Sequence, residues 1–251
     1  MIEIRNIYKS FNEVSILKDV SFKFDTGKTN LVIGQSGSGK SVLTKCIVGL
    51  HDVDDGQVLY DGRDMQSMSN RKRKTIFKEI GMLFQGSALF DSMTVEENVI
   101  FPLSMFSNMT KDEMRDRANF CLKRVEIFDK NNLYPSETSG GMQKRIAIAR
   151  AIALNPRYLF CDEPNSGLDP KTAIVIDNLI QDITKEYNMT TVVITHDMNS
   201  VLEIGENIMF LYEGENYWQG DRKSIVSTDS KEVNDFVYAS KFMQDFKKRM
   251  V

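Results

Sequence analysis

Cysteine is scarce in this 251-residue chain: Cys46, Cys121 and Cys161 are widely spaced, and none belongs to a C-x-x-C pair. That argues for a reducing compartment and against a structural zinc. No apolar run approaches the roughly 18 residues that a membrane span needs. The opening M-I-E-I-R-N-I-Y is charged too early and too often for a secretory leader. Positive charge is not in excess either. The 32 Lys and Arg stand against 35 Asp and Glu, a formal net charge of −3, so no global basic surface calls for nucleic acid or anionic lipid. The one basic run, Arg71-Lys72-Arg73-Lys74, falls on a predicted helix and reads as a solvated face, with contact to lipid headgroups or a partner as the other option. What is present is length enough to bury a sizeable core, as one large α/β domain or a core with a small subdomain.

Residues 34–41 read G-Q-S-G-S-G-K-S. They match Gly, four residues, then Gly-Lys-Ser/Thr at every fixed position of a phosphate loop. The context that loop requires is also there: an apolar strand predicted at 29–33 and a helix predicted over 41–50. Gly34, Gly37 and Gly39 let the backbone fold tightly, with Gln35, Ser36 and Ser38 completing a nest whose N–H groups face one point. The helix N-terminus adds its partial positive charge at that point. Lys40 can reach the β- and γ-phosphates of a nucleotide, and the Ser41 hydroxyl can bind Mg²⁺. The stretch predicts a nucleotide site.

The first 24 residues alternate (I-E-I, then V-S-F-K-F) and predict strands of an antiparallel edge sheet. Phe11 lies between them, and its spacing favours a core position over stacking on a base. Beyond the loop helix, Asp54-Asp55-Gly56 and Asp61-Gly62 bracket the strand Q-V-L-Y and predict a hairpin. Residues 80–85 predict a strand ending at Gln85, an amide that can ligate a metal or orient a water. From 86 to 106 come Leu89, Phe90, Met93, Val95, Phe101, Leu103, Met105 and Phe106, either a subdomain core or an exposed docking patch. A charged amphipathic helix follows over 111–127, with Met114, Ala118, Cys121, Leu122 and Val125 on one face.

Ser139-Gly140-Gly141 precedes a predicted helix over 142–153, with Ser139 as its N-cap. Such a turn is a second anion-binding terminus, or an ordinary capped helix. Y-L-F-C predicts a buried strand that delivers Asp162 and Glu163 at its C-terminal end, where open α/β sheets place ligands. Asp162 suits the metal sphere of a loop-bound nucleotide, and Glu163 can accept a proton from water. Ser166-Gly167-Leu168-Asp169-Pro170 reads as a turn before an amphipathic helix over 172–186. T-V-V-I-T predicts another buried strand, and His196 emerges from it at the same sheet edge as the two acids. Closing strands are predicted at 208–212 and at Tyr217-Trp218. Val233, Phe236, Val237, Met243, Phe246 and Met250 form a helical stripe in the tail.

Taken in order, G-Q-S-G-S-G-K-S, Gln85, S-G-G, L-F-C-D-E-P, S-G-L-D-P and His196 resemble the nucleotide-binding subunit of ABC transporters over nearly the whole chain. The resemblance implies an α/β fold of the ABC-type phosphate-loop NTPases. Its RecA-like core would take 1–85 and 157–225, with an antiparallel β edge sheet, an inserted α-helical signature subdomain at 86–156 and a helical tail at 226–251. It makes Phe11 the adenine-stacking aromatic, Ser139, Gly140 and Gly141 the signature loop, and Asp169 the D-loop aspartate. Glu163 becomes the general base and His196 the switch histidine, with Lys40 and the Q-loop residue Gln85 completing the catalytic set. ATP and Mg²⁺ are the implied cofactors, the metal falling to Ser41, Gln85 and Asp162. Thr138 and Met142 replace the Leu and Gln of the usual L-S-G-G-Q; the Ser-Gly-Gly is intact, so hydrolysis is expected.

A narrower resemblance lies in residues 82–103, M-L-F-Q-G-S-A-L-F-D-S-M-T-V-E-E-N-V-I-F-P-L. They are similar to the ATPases of MCE-type phospholipid transporters, the maintenance-of-lipid-asymmetry systems, with Gly86 displaced by one place. S-G-G-M followed by Lys144 and Arg145 is similar too. Amino-acid importers share the general frame, so another ABC importer or a non-transport ABC assembly ATPase is the alternative. A phosphate-loop kinase is a different class, against which Glu163 after Asp162 speaks. One phosphate loop and one signature loop occur, so the resemblance implies that two copies sandwich two ATP. It also implies an integral membrane permease docking near residues 89–106, a peripheral position on the cytoplasmic face of the inner membrane, and no nucleic-acid partner.

Overall fold

The structure, a computed structural model, describes residues 1–239 and Gln244. In chain order the first elements are β1 (Ile2–Phe11), β2 (Val14–Phe24), β3 (Thr29–Ile33), α1 (Lys40–Ile47), β4 (Asp55–Tyr60), β5 (Arg63–Asp64), α2 (Asn70–Lys78) and β6 (Ile80–Leu83). Helices α3 (Val95–Phe106), α4 (Lys111–Arg124) and α5 (Gly140–Ile152) follow, then β7 (Tyr158–Asp162), α6 (Pro170–Glu186) and β8 (Thr190–Thr195). Then come α7 (Met198–Ile204), β9 (Asn207–Tyr212), β10 (Glu215–Gly220) and α8 (Lys231–Val237). The fold is α/β and falls into two compact units, one of residues 1–25, 29–66 and 194–251, the other of 26–28 and 67–193. These bounds differ from the subdomain limits drawn from the sequence.

In the first unit, β2, β1, β4 and β5 form an antiparallel sheet in that order. Its register sets Ile2 opposite Phe24, Ile4 opposite Phe22 and Ile7 opposite Val20. All six are buried, which is why the alternation of the sequence fixes one face inward. Among the described residues, two-residue hairpins with both residues at positive φ join strands three times: Asn12-Glu13, Asp61-Gly62 and Glu213-Gly214. Only the second was legible as a turn, because Asp-Gly suits the left-handed pair. The expected bracket at 54–56 is instead where β4 begins alongside β1, Tyr8 facing Asp55. The order β10-β9-β3 makes a second layer, in which β9 runs parallel to β3 and antiparallel to β10. β3 is buried at all five positions, as a strand covered on both faces must be.

In the second unit, β6 pairs in parallel with β7, Ile80 opposite Tyr158 through Leu83 opposite Cys161. Capping boxes open α3 and α4, each Thr accepting the N–H of a Glu three residues on, which returns the bond: Thr94 with Glu97, Thr110 with Glu113. α5 buries Lys144, Ile146, Ala147, Ile148, Ala149, Ala151 and Ile152. Its small alanines let α3 and α4 pack against it, and each buried isoleucine contributes roughly 1.5–3 kcal/mol. Gly81 is needed beneath this helix, since a Cβ there would come 2.3 Å from the Ala151 carbonyl. Among the eight apolar residues of 89–106, Val95 and Leu103 are core, while Phe90, Met105 and Phe106 are exposed. In the tail, Val233 and Val237 are buried on α8; Met243, Phe246 and Met250 lie outside the described residues.

Candidate functional site

In the first unit the phosphate loop leaves β3 and turns into α1. Gly34, Gly37 and Gly39 all take positive φ, 152°, 83° and 105°. At Gly34 a Cβ would also meet the Leu211 carbonyl at 2.3 Å, so only glycine lets the strand end turn there. Lys40 opens α1 with its side chain buried, and its Nζ donates to the carbonyls of Gly34 and Gln35 at 2.8 Å each. Gln35, Ser36 and Ser41 are exposed. Ser38 is different: its Oγ is buried without a hydrogen-bond partner. A buried hydroxyl with no partner is costly, and in a loop lined with N–H donors it suits a phosphate oxygen. On that observation the residues present fit a nucleotide phosphate.

Phe11 ends β1 and is exposed at 40%. The core position favoured by its spacing is therefore incorrect: β1 ends there and the hairpin turn carries the ring out of the sheet's buried face. The ring packs edge-on against His51 at 5.4 Å, with Lys9 Nζ 5.3 Å from its centroid. His196 follows β8 and is exposed. Asp197 next to it caps α7 by accepting the Asn199 N–H at 2.9 Å.

The second unit holds the other expected residues. β7 ends at Asp162, and Glu163 takes φ 46° directly after it. A left-handed glutamate costs on the order of 1–3 kcal/mol, which the surrounding turn must hold in place. Gln85 Nε2 lies 3.5 Å from Ser166 Oγ, at the limit of a hydrogen bond, so the Gln85 loop and the turn after Glu163 meet. Ser139 caps α5 as expected, its Oγ accepting the Met142 N–H at 3.3 Å, and Gly140 and Gly141 already belong to the helix. A Cβ on Gly141 would come 2.8 Å from the Thr172 methyl, which explains the glycine where α5 passes α6.

Asp169 caps α6. Its carboxylate accepts the Lys171 and Thr172 N–H groups at 3.1 Å and the Thr172 hydroxyl at 2.5 Å. The Thr172 hydroxyl foremost, with these N–H groups, holds its pKa below the usual carboxylate value. Ser139, Gly140, Gly141, Asp169 and Thr172 line one cavity of about 550 Å³ together with Glu126, Phe128 and Arg145. That size suits a small organic ligand better than a lone ion.

Oxygen donors dominate the expected metal set of Ser41, Gln85 and Asp162, the chemistry Mg²⁺ selects when it also keeps substrate phosphates. Among the described residues no cluster of three His, Cys, Asp or Glu would hold a metal unaided. The contacts of two residues on α5 escaped the sequence reading. Lys144 is buried and donates to the Gln85 carbonyl, and Arg150 reaches the carbonyls of Ser87 and Ala88. The only signal was a cation set inside an apolar helical run.

A phosphate loop between strand and helix, with adjacent acids at the end of a parallel strand, defines a phosphate-loop NTPase. A family model described as ABC transporter matches residues 17–166. The methionine import ATP-binding protein MetN of Clostridioides difficile (strain 630) is 38% identical over 237 residues, 94% of this chain and 74% of that protein. The dimeric structure of MJ0796, a bacterial ABC transporter cassette, matches with a TM-score of 0.80 at 34% identity, covering 88% of this chain and 99% of that one. cbiO1 from Clostridium perfringens, part of the ABC transporter complex cbiONQ, matches with a TM-score of 0.85 at 26% identity, covering 99% and 98%.

The chain belongs to the ABC transporter family. It is an ATP-binding ATPase subunit of that family with the ABC cassette fold, and it uses ATP with Mg²⁺. Among the described residues no helix is long and apolar enough to cross a membrane. The phospholipid cargo expected from residues 82–103 finds no support in a relative named for methionine import.

Proposed function

We propose that this chain is the ATPase of an amino-acid importer, working as a homodimer on the cytoplasmic face of a membrane permease. The relative at 38% identity over 94% of the chain carries the cargo assignment. The resemblance at 82–103 favours phospholipid as the second reading, on a much shorter stretch.

In the reaction, Glu163 orients the water that attacks the γ-phosphoryl and accepts its proton. Lys40 and the N–H groups of residues 34–41 hold the phosphates and stabilise charge as it develops on them. Phe11 offers its exposed ring to the base, and His196 and Gln85 sense the γ-phosphate. Mg²⁺, held by Ser41, Asp162 and Gln85, would neutralise phosphate charge. Ser139, Gly140 and Gly141 present a helix N-terminus to the nucleotide of the second copy, and Asp169 shapes that cavity by capping α6. ATP thereby favours the closed dimer, and hydrolysis removes the γ-phosphate contacts that hold it.

Phe90, Met105 and Phe106, at 39%, 60% and 49% exposure, supply the apolar surface for the permease. Large exposed apolar side chains grouped on one loop and one helix mark an interaction site. Co-purification of the permease followed by reconstitution in vesicles tests both claims. ATP-driven uptake of methionine is expected; phospholipid transfer without amino-acid uptake would select the second reading. Phe90→Asp should release the ATPase from the permease while ATP binding persists. A variant that stays bound contradicts the docking surface.

A further inference from the structure

Ser87 and Ala88 are consecutive, and both sit in the left-handed region, at φ 63° and 48°. Two side chains in a row in that conformation persist only where their surroundings hold them. What holds them is α5. Arg150 donates to the Ser87 carbonyl through Nη2 and to the Ala88 carbonyl through Nη1, each at 2.7 Å. Its guanidinium also lies 5.9 Å from the centroid of the Phe90 ring. Roughly two turns earlier on the same helix, Lys144 is 4% exposed and its ammonium donates to the Gln85 carbonyl. Lysine is almost never buried without a partner. Burial pushes its pKa down, and the nearby Cys161, Asp162 and Glu163 push it back up. The backbone from Gln85 to Ala88 is therefore tied to one helix by two cations.

We propose that Lys144 is a positioning residue: its bond to the Gln85 carbonyl makes the loop at 85–88 travel with α5 and sets where the Gln85 side chain stands. Arg150 is the second tether. Because α5 opens with Ser139, Gly140 and Gly141, any tilt that a ligand imposes at that terminus carries the Gln85 loop with it. The loop continues into Phe90, so the same strap reaches the exposed apolar surface. The catalytic consequence rests on the ATPase reading above; the tether itself does not.

The test uses the full chain, with two readouts: backbone amide hydrogen exchange and steady-state ATPase kinetics. Lys144→Met keeps the stem and removes the donor, and Lys144→Gln restores a neutral donor. For Lys144→Met, exchange over 84–90 should rise about tenfold and stay at the wild-type level over 34–41. Its kcat should fall roughly tenfold with KM for ATP changed by less than about twofold, the mark of a group that acts after binding. Lys144→Gln should recover most of both. Unchanged exchange over 84–90, wild-type kcat, or no recovery in Lys144→Gln would overturn the proposal. If Lys144→Met does not fold, Arg150→Met carries the same test: local loss of protection over 86–90 supports the strap, and its absence overturns it. A wild-type protein that releases no phosphate would sink the ATPase reading, while the exchange arm would still decide the tether.

Discussion

Lys40 folds its ammonium back onto the loop that carries it, 2.8 Å from the carbonyls of both Gly34 and Gln35. The side chain is held within the loop, at 8% exposure. Charge-assisted bonds to phosphate are about twice as strong as neutral ones. Lys40→Ala should therefore weaken ATP binding by roughly 10–100-fold, on the scale of 1.4 kcal/mol per tenfold. Titration calorimetry with ATP checks it, and an unchanged dissociation constant would count against the loop's role.

Ser38 is the contrasting residue of the loop. Its hydroxyl is buried with no partner, a state that costs about 1–3 kcal/mol until something satisfies it. Ser38→Ala should leave the Tm of the ATP-free protein unchanged or higher, while the rise in Tm caused by ATP shrinks. A lower ATP-free Tm with an undiminished ATP-induced rise would show that the hydroxyl has a structural role instead.

The three thiols set a pH prediction. Burial pushes Cys46 and Cys121 up from 9.0 to about 11, and Cys161 higher still. A thiol whose pKa is raised by folding stabilises the native state below its unfolded value, and that stability is lost as pH rises. The Tm should hold up to about pH 9 and fall steadily toward pH 11. At pH 7.5 a thiol reagent should label none of the three in the native protein and all three after denaturation. Labelling of native Cys46 at neutral pH would contradict its burial.

Ser139→Arg tests whether two copies complete each site. The substitution puts a cation at the open end of α5, in the cavity lined by Gly140, Gly141 and Asp169. ATP binding by the single protomer should persist and hydrolysis should be lost. Mixing Ser139→Arg with Lys40→Ala protomers should restore activity, because each heterodimer keeps one intact site. No recovery, with heterodimers verified, would mean that both motifs serve one protomer.

Sequence legibility followed the physics of each element. β3 at Thr29–Ile33 was readable to the residue because the apolar run Leu31-Val32-Ile33 leads straight into the glycine loop at Gly34. Asp61-Gly62 was readable because glycine supplies positive φ, whereas Asn12-Glu13 adopts the same hairpin without that marker. Ser139 was readable as a cap because the cap is local. Phe11 was misplaced because spacing reports periodicity and not where a strand ends. The contacts of Lys144 and Arg150 were not legible because their partners are carbonyls about sixty residues away, at 59 and 62–63 positions. The cargo was least legible, since the chemistry of ATP says nothing of what is transported, and 22 residues at 82–103 weigh less than 237 aligned positions.

Glu163, held at φ 46° at the end of β7, carries the central claim. Glu163→Gln keeps the size of the side chain and removes its basicity. Phosphate release is then expected to fall by roughly 10²–10⁴, the scale of a lost general base. ATP should still bind, and adding it should convert the variant to a stable dimer on size-exclusion chromatography. Phosphate release at the wild-type rate in Glu163→Gln would contradict the account.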